Sequence, residues 1–488
     1  SKLIASNLMI SDPITLDEHT LLLTVDCFND NQSFQKSFTL NLPISLLQSG
    51  YPYDTNSQVD SGPLVVDLDS DGSLEVVFGD YAGFVHVLGS DGNPIESDIF
   101  PYDTGNQIWS SPAAADIDLD GQLDIVIASK NKHLYAFDLN GLKFDYDADQ
   151  YLIGTPVIVN MDTDDELEIA IGGYSSSGDI FVVNHDGTDL AGFPLEINEK
   201  MWKGFAAHDL NNNGLDDLVI TTDGDDLILV VYDDATTQTL LTADDKFKSS
   251  PSVIGWNGDY IVMAGSYDDK MYAVSLSEGS VFEVQTSDHV NSSASFIDIN
   301  ETPYAFFGSD DGFLYAVDMS GNALEGWPQE IGEDIDNSVS FADLNGDGSP
   351  EAIIGVSNKL YAYHMDGSLY YRFPISYDFS FTSTPSIIDL DNDGDLEIIV
   401  GSAGDIVSVD VMESGLLNQY GYAYWNQDRG NNRKTGYYES VSMDCSAPML
   451  GDLNCDGFSD ILDIVTMVLI ILGPEEPADY QLWVSDLN

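Results

Sequence analysis

The chain repeats itself. Eight times, at intervals of roughly 45 residues, a short apolar strand opens near a Ser-Ser-Pro-like signal, and a period of that size means a stacked or radial array of supersecondary units. The strands start near Gly62, Ser111, Thr155, Gly204, Ser250, Ser293, Ser338 and Thr384. Six of them run straight into an acidic loop. The clearest loops are Asp67-Leu-Asp69-Ser-Asp71-Gly72-Ser-Leu-Glu75, Asp116-Ile-Asp118-Leu-Asp120-Gly121-Gln-Leu-Asp124 and Asp389-Leu-Asp391-Asn-Asp393-Gly394-Asp-Leu-Glu397.

Within a repeat the pattern is strand, acidic loop, strand, turn, strand, turn, strand. The second repeat reads Pro112 to Asp116, Asp124 to Ala128, His133 to Phe137 and a weaker strand around Leu142 to Tyr146. Asp91-Gly92, Asn140-Gly141, Asp186-Gly187 and Asp366-Gly367 mark hairpins, because these pairs accept the left-handed backbone of tight turns. Four antiparallel strands per repeat is the signature of a propeller blade. The expected fold class is therefore all-β, an eight-bladed β-propeller, with seven blades and one displaced degenerate repeat as the alternative. The last repeat shows three strands, and Gly50-Tyr51-Pro52 matches the outer-strand phrases Gly192-Phe193-Pro194 and Gly326-Trp327-Pro328. An N-terminal strand is thus expected to complete the last blade and remove two free edges.

Three segments follow from this pattern. Residues 1–46 read as part of an Ig-like β segment, or as an accessory sheet packed on the array, with strands at Leu3 to Ile10, Thr20 to Phe28 and Phe34 to Leu42. Residues 47–440 form the propeller, and residues 441–488 a short terminal module. The chain opens on Ser1 without a basic n-region, so a signal peptide is expected to be already removed or to lie upstream. No apolar run is long enough to span a bilayer.

Charge sets the partners. Asp and Glu number 84 against 15 Lys and Arg, a net charge of −69. Nucleic acid, which needs a cationic footprint, is excluded, and an anionic membrane surface would repel the chain. The loops account for about two dozen carboxylates. The remainder reads as a solvated acidic surface suited to a salty or calcium-rich medium. Cysteine is scarce. Cys27 reads as an apolar filler in a strand, whereas Cys445 and Cys455 can pair in an oxidising compartment or stand as separate thiols.

The six loops follow D-x-[D/N]-x-[D/N]-G-x-x-[D/E]. Residues one, three and five project into one concave turn, and the acid at nine returns from the next strand. Carboxylates so crowded repel one another unless a hard cation joins them; calcium accepts six to eight oxygens, and Gly at six permits the bend. The metal candidates are Asp67, Asp69, Asp71 and Glu75; Asp116, Asp118, Asp120 and Asp124; Asn160, Asp162, Asp164 and Glu168; Asp209, Asn211, Asn213 and Asp217; Asp343, Asn345, Asp347 and Glu351; Asp389, Asp391, Asp393 and Glu397. The third loop has Asp165 where Gly is expected. The bland reading of any one loop is a metal-free Asx turn. Repeats five and six lack the carboxylate series and are expected to be metal-free.

These strand-loop-strand units, with Phe78-Gly79 and Phe307-Gly308 in the second strand, resemble the FG-GAP/VCBS repeats of integrin-type propellers over about residues 48–440. The resemblance implies structural calcium (Ca2+) on blade loops and a secreted or cell-surface protein. The C-terminal loop Asp452, Asn454, Asp456, Phe458, Asp460 and Asp463, followed by an apolar run from Ile464 to Leu472, resembles the first half of a dockerin-type calcium module. It departs from cellulosomal dockerins at Ile461 and Leu462, where a Ser-Thr pair is frequent.

Between propeller and terminal module, Trp425 to Tyr438 carries Arg429 and Arg433, two of the three arginines. In so acidic a chain the segment is expected to clamp to the propeller by carboxylate pairing. One residue per repeat, seven before each loop, marks the entry to the innermost strand: Asp60, Trp109, Ile153, Trp202, Lys248, Asn291, Asp336 and Thr382. These eight would ring one mouth of the channel, where Trp109 and Trp202 are ligand-binding candidates for a sugar or peptide, or else cover blade interfaces. No nucleophile, metalloprotease or phosphate-loop motif is present, and the seven histidines are scattered. The expectation is a non-catalytic, calcium-stabilised extracellular module for adhesion, assembly or binding, with another protein, a second copy or a glycan as partner. The alternative is the non-catalytic C-terminal region of a secreted hydrolase whose catalytic domain lies upstream.

Overall fold

The computed structural model describes residues 46–300, 302–411 and 424–440, together with the backbone of two strands at Thr20–Asn29 and Gln32–Asn41. Those two strands form an antiparallel hairpin. The expected strand at 3–10, the C-terminal calcium loop with its apolar run, and Cys445 and Cys455 lie outside the described residues.

Eight sheets follow one another along the chain, each an antiparallel meander. Blade 2 is typical: Ala113–Ala115 lies innermost, then Asp124–Ser129, His133–Phe137 and the outer Leu142–Asp147. Second strands such as Glu75–Gly79 and Asp217–Thr221 are buried at every position. Both of their faces pack against neighbouring blades, which is why they read as unbroken apolar runs instead of alternating ones. The core accordingly sits between blades. Phe78 and Leu88 of blade 1 pack with Ile399 and Ile406 of blade 8, and Ala170 and Val182 of blade 3 with Leu218 and Ile220 of blade 4.

Two sequence signals acquire a cause. A Cβ on Gly79 would lie 2.2 Å from Ile108 of the next blade, and one on Gly308 would lie 2.1 Å from Ile335. The glycine of each Phe-Gly pair therefore sets the distance between adjacent blades. The Ser-Ser-Pro signal supplies two hydroxyls. The first staples its own blade, as when Ser110 Oγ donates to the carbonyl of Ala128 and Ser249 Oγ to that of Gly265. The second accepts from the preceding blade: Gly62 N–H donates to Ser111 Oγ (2.9 Å), Ser111 N–H to Thr155 Oγ1 (3.2 Å), Ser250 N–H to Ser293 Oγ (3.0 Å) and Ser338 N–H to Thr384 Oγ1 (3.2 Å).

The ring closes as the sequence suggests. Tyr53–Asp54 pairs antiparallel with Asp405–Val411 as the outer strand of blade 8, and Leu47 bridges Val409. Among the described residues no helix is long and apolar enough to cross a membrane.

The channel is not open. Residues 425–440 run once around it, and the N–H two residues before the loop position of six blades donates to successive carbonyls of this segment. Phe341 donates to Trp425, Ile387 to Asn426, Ala114 to Asn432, Ile158 to Arg433, Ala207 to Thr435 and Val253 to Gly436. The contacts visit blades 7, 8, 2, 3, 4 and 5 in ring order. The segment ends as Tyr437–Glu439, a fifth strand parallel to Ser252–Trp256. Innermost strands would otherwise present unpaired backbone groups to the channel, and the plug satisfies them.

Candidate functional site

The six acidic loops form one recurring socket. In every copy the position-nine acid is buried, and one of its oxygens accepts from the N–H of position two: Leu68 to Glu75 (2.9 Å), Ile117 to Asp124 (3.1 Å), Met161 to Glu168 (2.7 Å), Leu210 to Asp217 (3.1 Å), Leu344 to Glu351 (2.8 Å) and Leu390 to Glu397 (2.6 Å). In five copies the position-one carboxylate caps the turn by accepting from positions five and six, as Asp67 does from Asp71 and Gly72. Positions four and six there take positive φ, shown by Ser70 (61°) and Gly72 (88°), or Asn392 (61°) and Gly394 (98°). No atom lies within 4 Å of a Cβ built at Gly72 or Gly394, so it is the backbone angle, not space, that asks for glycine. The third loop, with Asp165 at position six, takes neither positive φ.

Acid oxygens converge. Single oxygens of Asp67, Asp69 and Asp71 lie within 4.8 Å of one another, as do those of Asp116, Asp118 and Asp124, of Asp162, Asp164 and Glu168, and of Asp389, Asp391 and Glu397. Burial, then the neighbouring carboxylates, pushes the position-nine acids up: Glu75 and Glu168 to about 7, Glu351 and Glu397 to about 8. Asp217 rises to about 7 and Asp124 to about 6, again chiefly through burial. A buried carboxyl held this way strongly favours either a proton or a cation partner.

The sockets are not equivalent, and sequence reasoning missed why. In blade 2 the Nζ of Lys143, reaching in from the outer strand, lies 2.7 Å from Asp118 Oδ2, 2.7 Å from Asp124 Oδ1 and 3.9 Å from Asp120. An ammonium stands where a metal was expected. In blade 7 His364 Nδ1 lies 2.9 Å from Glu351 Oε1. In blade 4 Asp217 Oδ1 accepts from the N–H of Asp233 (3.1 Å) and from Asn211 Nδ2 (3.3 Å). Among the described residues, blades 1, 3 and 8 have no lysine or histidine within ion-pair distance of their socket acids. Blade 3 buries Asn160 Oδ1 without a hydrogen-bond partner, Asp410 Oδ1 beside the blade 8 socket is likewise buried and unpartnered, and blade 2 leaves Asp118 Oδ1 in the same state despite Lys143. Oxygen-only ligands with orphaned buried acceptors fit a hard divalent cation. Lys143 and His364 lie on outer and third strands, at no fixed offset from the loops, so no sequence signal marked them.

At the opposite end of the innermost strands all eight rim positions line one cavity of about 490 Å³. Asp428 and Arg429 of the plug also line it. Lys130 Nζ lies 3.9 Å from the ring centroid of Trp109, which also stacks on Tyr81 at 5.7 Å, and Lys248 Nζ lies 4.3 Å from that of Trp202. The two tryptophans therefore carry lysines on their faces instead of presenting them bare to a sugar. The plug also departs from expectation. Arg433 does pair with a carboxylate, Asp216 (2.8 Å). Arg429, however, is buried and donates to Ser252 Oγ (3.1 Å) and to the carbonyls of Phe205 (3.0 Å) and Pro251. Lys434 donates to Gln427 Oε1 and the Asp428 carbonyl, both at 3.1 Å. The plug is held by backbone acceptors of the channel wall more than by acids.

The FG-GAP-like repeat family model matches residues 67–127 and 343–400, which include the sockets of blades 1, 2, 7 and 8. Among solved structures the chain is similar to BamB from Moraxella catarrhalis, at 14% identity over 72% of this chain and 97% of that one, with a TM-score of 0.47. It is also similar to the V. cholerae biofilm matrix protein Bap1, at 13% identity over 80% and 95%, with a TM-score of 0.44. No curated protein matches the sequence.

Proposed function

We propose that this chain is a calcium-stabilised, non-catalytic propeller serving as a binding or assembly module of a secreted or cell-surface protein. The observation that carries the reading is a buried position-nine acid accepting from the position-two N–H on all six blades, with acid oxygens converging around it or beside it in blades 1, 2, 3 and 8. When bound, calcium would neutralise acids that burial otherwise forces toward protonation. Blades 1, 3 and 8 are the strongest candidates, because their ligands are oxygen alone; in blade 2 Lys143 already supplies positive charge. Extracellular modules bind calcium at about 10⁻⁴–10⁻³ M, a range filled outside cells.

The non-catalytic reading is supported by repetition. An acid–base pair is a single arrangement at one place, whereas these acids stand at positions that the repeat sets on blade after blade. Calcium titration of chelator-treated protein, followed by calorimetry, tests the proposal. Saturable binding of about three or more ions, with a rise in melting temperature, is expected. Absence of binding together with an unchanged melt in chelator would overturn it. Sedimentation with and without calcium tests self-assembly.

A further inference from the structure

The cavity at the channel mouth has two electrical sides. Lys203 and Lys248 line it at blades 4 and 5, and Lys248 is bracketed by aromatic faces, 4.3 Å from the Trp202 centroid and 4.5 Å from that of Tyr267. Among the described residues neither lysine has a carboxylate within ion-pair distance. That is unexpected in a chain with 84 acids and 15 basic residues. Aromatic faces hold an ammonium in place without cancelling its charge, so Lys248 is positioned and still available.

Acids stand across the ring. Blade 1 lies diametrically opposite blade 5 in an eight-membered circle, which sets Asp60 across from Lys248. Its carboxylate is fixed by Tyr81 Oη (2.5 Å) and Gln58 Nε2 (2.6 Å). Asp334 and Asp336, exposed, line the cavity at blade 7, a quarter turn from Asp60 and from Lys248 alike. The plug, through Asp428 and Arg429, makes the mouth a blind cup instead of a tunnel, so an end or a small molecule fits better than a threaded polymer.

We propose that this cup binds a small zwitterion, an amino acid or short peptide with free termini, its carboxylate on Lys203 and Lys248 and its ammonium on Asp336 and Asp60. Net charge decides against the alternatives. A polyanion is repelled by the −69 of the chain, and a polycation is drawn to acidic surface everywhere with no reason to face Lys248. A zwitterion has no net charge and matches the dipole across the cup. The volume, about 490 Å³, is within the range of small-molecule sites.

The inference rests on reading the propeller as a binding module. Calorimetric titration of the full chain in calcium with triglycine, N-acetyl-triglycine, triglycine amide and a uronate trisaccharide tests it. Triglycine is expected to bind, with each capped peptide about tenfold weaker. Lys248→Gln should weaken triglycine about tenfold yet leave triglycine amide unchanged, and Asp336→Asn should do the converse with the acetylated peptide. Both positions are on the rim, and a melt for each variant confirms folding. Equal binding of all three peptides, no binding at ~10 mM, or tighter binding of the uronate would each overturn the proposal. Calcium-dependent melting that persists in such a case separates its failure from that of the parent reading.

Discussion

Asn426 and Ile387 exchange two hydrogen bonds: the N–H of Ile387 donates to the carbonyl of Asn426 at 2.9 Å, and Asn426 Nδ2 donates to the carbonyl of Ile387 at 2.9 Å. A side-chain amide here imitates a backbone strand and locks the plug onto blade 8. Arg433 does the equivalent at blade 3, where its Nε donates to the Ile158 carbonyl at 2.9 Å while the Ile158 N–H donates to the Arg433 carbonyl. The propeller is therefore tied twice, by an N-terminal strand at its perimeter and by the plug at its axis.

Arg429 contributes to the axial tie from inside the channel wall. Its guanidinium reaches acceptors on blades 4 and 5 that are sealed from water. Arg429→Met should leave these acceptors bare and destabilise the fold by about 2–4 kcal/mol, read as a lower melting temperature. A melt unchanged from the parent would show that the plug does not brace the ring.

In chelator, stability should fall as pH rises. The position-nine glutamates have ordinary values of 4.5 but titrate near 7 to 8 in the fold, burial being the first cause. A carboxyl whose folded pKa is raised contributes stability that is full below the unfolded pKa and is lost as pH climbs through the folded one. Chelated protein should thus melt highest near pH 4.5 and progressively lower toward pH 8. Calcium, which binds the ionised form, should flatten or reverse that slope. Urea melts at stepped pH, with and without calcium, give the comparison.

Lys143→Met should convert the second socket. Without the ammonium, Asp116, Asp118, Asp120 and Asp124 face one another, and the variant should be less stable than the parent in chelator. In calcium it should gain one bound ion by calorimetry, and about 2.7 kcal/mol of stabilisation at a hundredfold excess over Kd. An unchanged ion count would mean that Lys143 does not occupy the metal position.

Gly308→Val should force blades 6 and 7 apart. The added side chain meets Ile335 at once, and overpacking of this kind costs about 1–3 kcal/mol. Thermal melts of purified protein measure it, and Gly141→Ala, at a turn with no positive φ and no atom within 4 Å of its Cβ, controls for glycine loss alone.

Repetition made the architecture legible. Eight strand starts, the Asp-Gly turns and the Phe-Gly pairs each recur because each blade must solve the same problem of packing against the next, so the sequence by itself determined the propeller class, strand order, ring closure through residues near Tyr53 and the positions of the acidic loops, while eight blades against seven was decided by the structure. What recurs only once was settled by the tertiary structure. Lys143 and His364 enter sockets from strands distant in sequence, and the plug's carbonyls meet six blades that share no motif with it. The faces of Trp109 and Trp202 are covered by lysines that no spacing rule connects to them. Local signals encode what a strand does to its neighbour in the chain; where a side chain comes to rest across a closed ring depends on distances that exist only after the ring has formed.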